Sequence, residues 1–211
     1  MEKLTLKNVN RELIGIIRDE FIDQLAQGHN RYYHEHQVQH KLGIEWYKRF
    51  GIEPTLEWCV EDPETHKRRY IDIMLDLGGK KVGIELKYKT KEVKGANYMG
   101  QGAQSNGKFF FFQDIERLEK LKKKSEIENG FAVLITNDHL YWNPAQNGKA
   151  VKKFDLCAGT KPLHGKYEVD WGEYKGQSVT LSGTYTVEWV EVPAAGAQKD
   201  GTTFRYLIIK V

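Results

Sequence analysis

Asp72, Glu85 and Lys87 are the residues whose types and spacing point most directly to chemistry. They lie in RYIDIMLDLGGKKVGIELKYK, Arg69 to Lys89, two β-prone runs separated by Gly78 and Gly79. A Gly-Gly pair between such runs predicts a hairpin with a two-residue loop, so that Leu77 pairs with Lys80. In that register Asp72 stands opposite Glu85, on one face, and Tyr70 stands opposite Lys87. A four-residue loop would set Asp72 opposite Lys87 and still keep the three charges on one face. Gly83, Glu85, Lys87 and Lys89 share that face, while Val82, Ile84 and Leu86 share the other.

Two carboxylates opposed at roughly 5 Å between Cβ atoms repel each other unless positive charge lies between them. A divalent cation supplies that charge. Mg²⁺ takes oxygen ligands, often one or two carboxylates with water and substrate phosphate completing its shell, and Asp72 with Glu85 fits this description. Lys87, two residues on, can then approach a bound water or a phosphate oxygen.

The elements that must hold these residues are legible from periodicity. Leu13, Ile14, Ile17, Phe21 and Leu25 predict a helix from Asn10, its N-cap, to Gln27. Val38, Leu42, Trp46 and Phe50 predict a second, from about Arg31 to Phe50, stopped at Gly51. Strands follow at Thr55 to Glu61, Arg69 to Leu77 and Lys80 to Lys87, an antiparallel meander. The polar, Gly-rich stretch from Gly95 to Gly107 predicts a loop close to the charged face, with YMGQGAQSNGKFF too rich in glycine to be regular. QDIERLEKLKKKSEIE predicts a third helix capped at Asp114, and GFAVLIT, Gly130 to Thr136, a buried strand. Residues 143 to 162 read as loop. The chain from Tyr167 onward reads as a β-rich extension with strands at Val179 to Val192 and Thr203 to Val211, joined by a loop at Pro193 to Gly201.

On a helical wheel Glu35 falls in the middle of the stripe formed by Val38, Leu42 and Trp46. A carboxylate there is costly unless paired or bound to a metal. His36 and His40, four apart in HEHQVQH, lie away from that stripe, and Gln37 occupies the place where the zincin motif H-E-x-x-H has its glutamate. They read as surface histidines. Phe109 to Phe112 read as core anchors, Asp114, Glu116 and Glu119 as structural acids of the third helix, and Asp138 as a turn former. Trp171, Tyr185, Trp189 and Tyr206 in the extension fit core packing, dimerisation or substrate binding equally well.

Composition bounds the rest. With 32 basic and 29 acidic residues the formal charge is only +3, so nucleic-acid binding has to rest on local clusters. Two cysteines, Cys59 and Cys157, are too few for a disulfide framework. No apolar run approaches the roughly 20 residues that span a bilayer, and MEKLTLKNVNREL lacks a signal-peptide core. The expectation is one cytoplasmic domain over residues 1–211, with no membrane partner.

Ile71-Asp72, followed after a hairpin by Glu85-Leu86-Lys87, resembles the PD-(D/E)XK nuclease superfamily, the restriction-endonuclease-like phosphodiesterases. The order of elements from about residue 31 to 136 is similar to that superfamily's αβββαβ core, an α/β fold with a mixed central sheet flanked by helices. Ile71 stands where the motif has proline, a position without a ligand role. The resemblance implies Mg²⁺-dependent hydrolysis of phosphodiester bonds, with Mn²⁺ substituting, in DNA ahead of RNA and in a restriction, defence or repair setting. It implies Asp72 and Glu85 as metal ligands with the main-chain carbonyl of Leu86, Glu35 as a supporting ligand, and Lys87 orienting or deprotonating the attacking water. It further implies substrate contacts from Lys89, Lys91, Lys94, Lys108 and Gln104, and a homodimer for members that cut both strands. The rival expectation is a catalytically silent module that keeps this fold to bind nucleic acid or protein.

Overall fold

The computed structural model describes residues 3–22, 34–61, 68–91, 103–143, 153–159, 161–192 and 203–211. Its centre is a six-stranded mixed sheet in the order β1-β2-β3-β4-β8-β7. Strands β1 (Thr55–Glu61), β2 (Arg68–Asp76) and β3 (Lys81–Lys89) form the antiparallel meander expected from the sequence. Strand β4 (Asn129–Thr136) runs parallel to β3, and the connection between them carries helix α3 (Gln104–Lys123). This α/β architecture puts α1 (Val9–Ile16) and α2 (Glu35–Phe50) over one face of the sheet and α3 over the other.

Each helix is set by its own stripe. Val38, Leu42 and Trp46 of α2 are fully buried and pack with Ile73, Leu75, Val82, Ile84 and Leu86. Gly51 closes α2 in the left-handed region at φ +66°, its amide donating to the Tyr47 carbonyl. The cap of helix α1 lies two residues ahead of the expected one, because Asn8 takes that place and accepts from the Thr5 amide; a wide π-type turn, Ile17–Ile22, follows the helix. Phe109, Phe111 and Phe112 are fully buried and anchor α3, with Phe109 and Phe112 edge-on to Phe154 and Phe112 edge-on to Tyr167. Burial of each is worth about 1.5–3 kcal/mol. Gly83 and Gly130 are register partners on β3 and β4, and a Cβ on either would press on Leu118, so these glycines let α3 lie close to the sheet.

Two expectations are corrected. The segment from Gln104 to Phe110 is not loop but the first two turns of α3, since it delivers Gly107, Phe109 and the buried stem of Lys108 to the core. Asp114 therefore sits mid-helix and is no cap. The β-rich extension also divides: β5 (Leu163–Glu168) and β6 (Ser178–Tyr185) form a separate hairpin, while β7 (Trp189–Glu191) and β8 (Arg205–Lys210) extend the central sheet, β8 pairing antiparallel with β4. The single strand expected from Val179 to Val192 is thus broken between two sheets. The loop at Pro193 to Gly201 and Lys94 lie outside the described residues. Among the described residues no helix is long and apolar enough to cross a membrane.

Candidate active site

The hairpin register is the one the Gly-Gly loop dictates: Ile73 pairs with Ile84 and Asp76 with Lys81, and the Leu77 amide donates to Lys80. The paired ladder stops at Ile73–Ile84. At Asp72 the strand changes hand, because Ile71 packs on the α3 face and Ile73 on the opposite face although only one residue separates them. The β1 partner is equally irregular here, with Glu57 held at φ +50°. Gln39 of α2 fastens the irregularity by donating to both the Glu57 carboxylate and the Asp72 carbonyl. Strand irregularities of this kind re-aim a side chain.

Beyond this point β3 continues beside β4 and has lost β2 as a partner. Two carboxylates take up the amides exposed by the departure. Asp72 Oδ2 accepts from Leu86 N at 2.6 Å, and Glu35 Oε2 accepts from Tyr88 N at 2.9 Å. Side chains thus replace a missing strand, satisfying donors that would otherwise be buried unpaired. Glu35, flagged by its position on the α2 stripe, does reach the charged group.

Lys87 Nζ lies 3.1 Å from Asp114 Oδ2, 3.5 Å from Glu35 Oε1 and 3.2 Å from the Leu86 carbonyl. Arg117 Nε lies 2.7 Å from Glu85 Oε1, and its Nη2 contacts Asp114 Oδ1. Four carboxylates, of Glu35, Asp72, Glu85 and Asp114, therefore surround two cations.

The excess of negative charge shows in the proton affinities. Burial pushes the Asp72 carboxyl up to about 6 against the attraction of Lys87 and the Leu86 amide, with Asp114 and Glu35 adding to the rise. Glu85, only 1% exposed, is raised well above the usual carboxylate range by burial and by Asp114 despite Arg117. Burial alone would favour a neutral Lys87, but Asp114, Glu35, Asp72 and Glu85 hold it firmly protonated. Lys87 is therefore held as a cation by the carboxylates around it.

Asp114 and Arg117 are the members that reading the sequence missed. The sign that marked Glu35 also marks Asp114, which sits among Gly107, Phe111, Ile115, Leu118 and Leu121 on the α3 stripe. Assigning residues 95–107 to a loop and Asp114 to the cap hid it.

The remaining site residues are placed as follows. Lys89 ends β3 half-buried, and Lys91 is exposed with its backbone clasped by the Asn137 side chain at 2.7 and 3.2 Å. Gln104 gives its amide to Asp138 Oδ2 at 2.8 Å, and Asp138 also caps the short turn His139–Tyr141, the turn-forming role expected of it. Lys108, expected to contact substrate, is instead wholly buried beside the Tyr141 ring, and burial lowers its pKa. His36 and His40 are exposed on α2, as expected. Trp171, Tyr185 and Trp189 serve packing, their polar atoms donating to Asn106, Glu119 and the Leu156 carbonyl.

Glu85 Oε1 and Asp114 Oδ2 are buried without a hydrogen bond of good geometry, although each faces a cation. Such orphaned oxygens and the charge excess, beside a Leu86 carbonyl engaged by Lys87, suit a hard divalent cation. Among the described residues no three carboxylate, imidazole or thiolate groups are already gathered into a metal cage. Mg²⁺ does not require one, since one or two carboxylates with water suffice. No protein-family model, curated protein or solved structure matches this chain.

Proposed function

We propose that this protein is a divalent-metal-dependent nuclease of the PD-(D/E)XK type, hydrolysing phosphodiester bonds in DNA. The observation that carries the reading is the convergence of Asp72, Glu85 and Lys87 with Glu35 at the point where β2 parts from β3. The succession α2, β1, β2, β3, α3, β4 agrees with the αβββαβ order of that superfamily and supports the same reading.

Asp72, Glu85 and the Leu86 carbonyl would hold Mg²⁺ or Mn²⁺, which when bound lowers the pKa of a water and offsets phosphoryl charge. The chain's own contributions are positional. Asp72 and Glu35 fix the free edge of β3, so Leu86 and Lys87 present their groups from a rigid backbone. Lys87, permanently charged, orients the attacking water and offsets charge as the pentavalent phosphorus forms. Lys89 and Lys91 meet backbone phosphates in a way that is independent of sequence.

Incubating plasmid, linear and single-stranded DNA with Mg²⁺ or Mn²⁺ tests this. Wild type is expected to cut, and Glu85→Ala and Lys87→Ala to lose at least a hundredfold while remaining folded by circular dichroism. A wild type that binds DNA but never cuts it, with binding unchanged by Glu85→Ala, would replace this reading with the silent binding module.

A further inference from the structure

We infer that Arg117 is an internal counter-ion that competes with the metal: it holds Glu85 in the unloaded site and must release it for a divalent cation to bind. The inference rests on the metal-dependent reading above. Three observations carry it. First, Arg117 Nε lies 2.7 Å from Glu85 Oε1 without hydrogen-bond alignment, so the contact is electrostatic and not locked. Second, the two partners differ in freedom. The Glu85 side chain is 1% exposed and fixed on β3, whereas Arg117 is 24% exposed on α3 and can turn out to solvent. Third, the guanidinium forks between Glu85 and Asp114 while Lys87 faces Asp114 and Glu35, which among the described residues leaves Arg117 as the cation in contact with Glu85.

Whenever it is ionised, a carboxylate this buried needs a positive neighbour, because an uncompensated buried charge is strongly destabilising. Before metal arrives, the guanidinium fills that need; a divalent cation fills it better and draws on the same oxygen. The planar fork of arginine spans both acids at once, which a lysine ammonium cannot do. Metal affinity is then set by this competition, and the freed guanidinium is available to a phosphate oxygen of the substrate.

Calorimetric titration of Mn²⁺ into the full chain, with Arg117→Met, Arg117→Lys and Lys120→Met, is the test. Arg117→Met is expected to bind Mn²⁺ at least tenfold more tightly than wild type and Arg117→Lys severalfold more tightly. Lys120→Met removes the same charge one turn away, where Lys120 pairs with Glu116, and is expected to change affinity less than twofold. Should Arg117→Met fold only with Mn²⁺ present, that rescue supports the inference and Arg117→Lys supplies the affinity comparison. Unchanged or weaker binding by a folded Arg117→Met, or by Arg117→Lys, overturns it, as does an equal gain in Lys120→Met. Absence of Mn²⁺ binding in wild type and variants alike overturns the metal-dependent reading itself, and this inference with it.

Discussion

Helix α3 carries two buried acids five residues apart, Asp114 and Glu119, and they are treated in opposite ways. Glu119 accepts from the amides of Ser182 and Gly183 at 2.9 and 2.6 Å and from the Tyr185 hydroxyl at 2.7 Å. Its neighbour Glu116 takes the Thr180 amide at 2.9 Å. These acids fasten the β5–β6 hairpin to the helix with neutral donors. Asp114 faces Lys87 and Arg117, which are shared with three further carboxylates. Towards its C-terminus the helix settles buried charge with neutral hydrogen bonds; at its middle an excess of carboxylates remains that protonation or a further cation relieves.

The comparison is broken most forcefully at the saturated acid, Glu119. Glu119→Ala strands two amides and a phenol under the hairpin, and each unmet buried donor costs about 1–3 kcal/mol. The expected loss is about 3–4 kcal/mol by chemical denaturation, discounted because the hairpin can loosen and admit water. Glu116→Ala, which frees a single exposed amide, is expected to cost about 1 kcal/mol or less. Equal effects from the two would show that the hairpin is held by its apolar contacts and not by the Glu119 clasp.

In the unsaturated cluster around Asp114 the sign reverses. A carboxyl whose native pKa exceeds its unfolded value favours folding at low pH, and that advantage is lost as pH rises through the native value. For Asp72 the window runs from 3.8 to about 6. Asp72→Asn keeps an acceptor for the Leu86 amide but does not ionise. In the presence of chelator the variant should therefore gain on wild type between about pH 4 and 6 and stay about 1–2 kcal/mol more stable at neutral pH. Saturating Mn²⁺ should reverse the order, because only wild type has the charge to hold it. A wild type that stays the more stable across the whole range in chelator would mean that Lys87 already compensates Asp72, and the contrast between the surroundings of Asp114 and Glu119 would lose its meaning.

How much of this was readable beforehand follows from which signals are local. The hairpin register was readable because Gly78-Gly79 fixes it, and Glu35 because a lone acid on an apolar stripe is conspicuous. The departure of β2 at Asp72 was not, since it depends on Gln39 reaching across from α2 to Glu57 and the Asp72 carbonyl. Nor was the place of β8 beside β4, a pairing across some seventy residues that no local pattern encodes. The start of α3 was hidden by QSNGK, whose glycine and polar residues have weak helix preference and are carried by the aromatic anchors that follow. With that start misplaced, Asp114 and Arg117 could not be seen to face β3.

The smallest expected effect belongs to His36 and His40, and it sharpens the comparison by elimination. They stand four apart on α2 with both rings exposed, a spacing able to chelate a transition metal. If metal chemistry resides with Glu85 and Asp72, His36→Ala together with His40→Ala should alter stability by less than about 0.5 kcal/mol, as surface changes do. Mn²⁺ affinity in the same calorimetric titration should move less than twofold. Mn²⁺ prefers oxygen donors over imidazole, so it reports on the carboxylates more faithfully than Zn²⁺ would. A large loss of Mn²⁺ binding in the double variant would place the metal on the outer face of α2 and leave the charge excess around Asp114 without its cation.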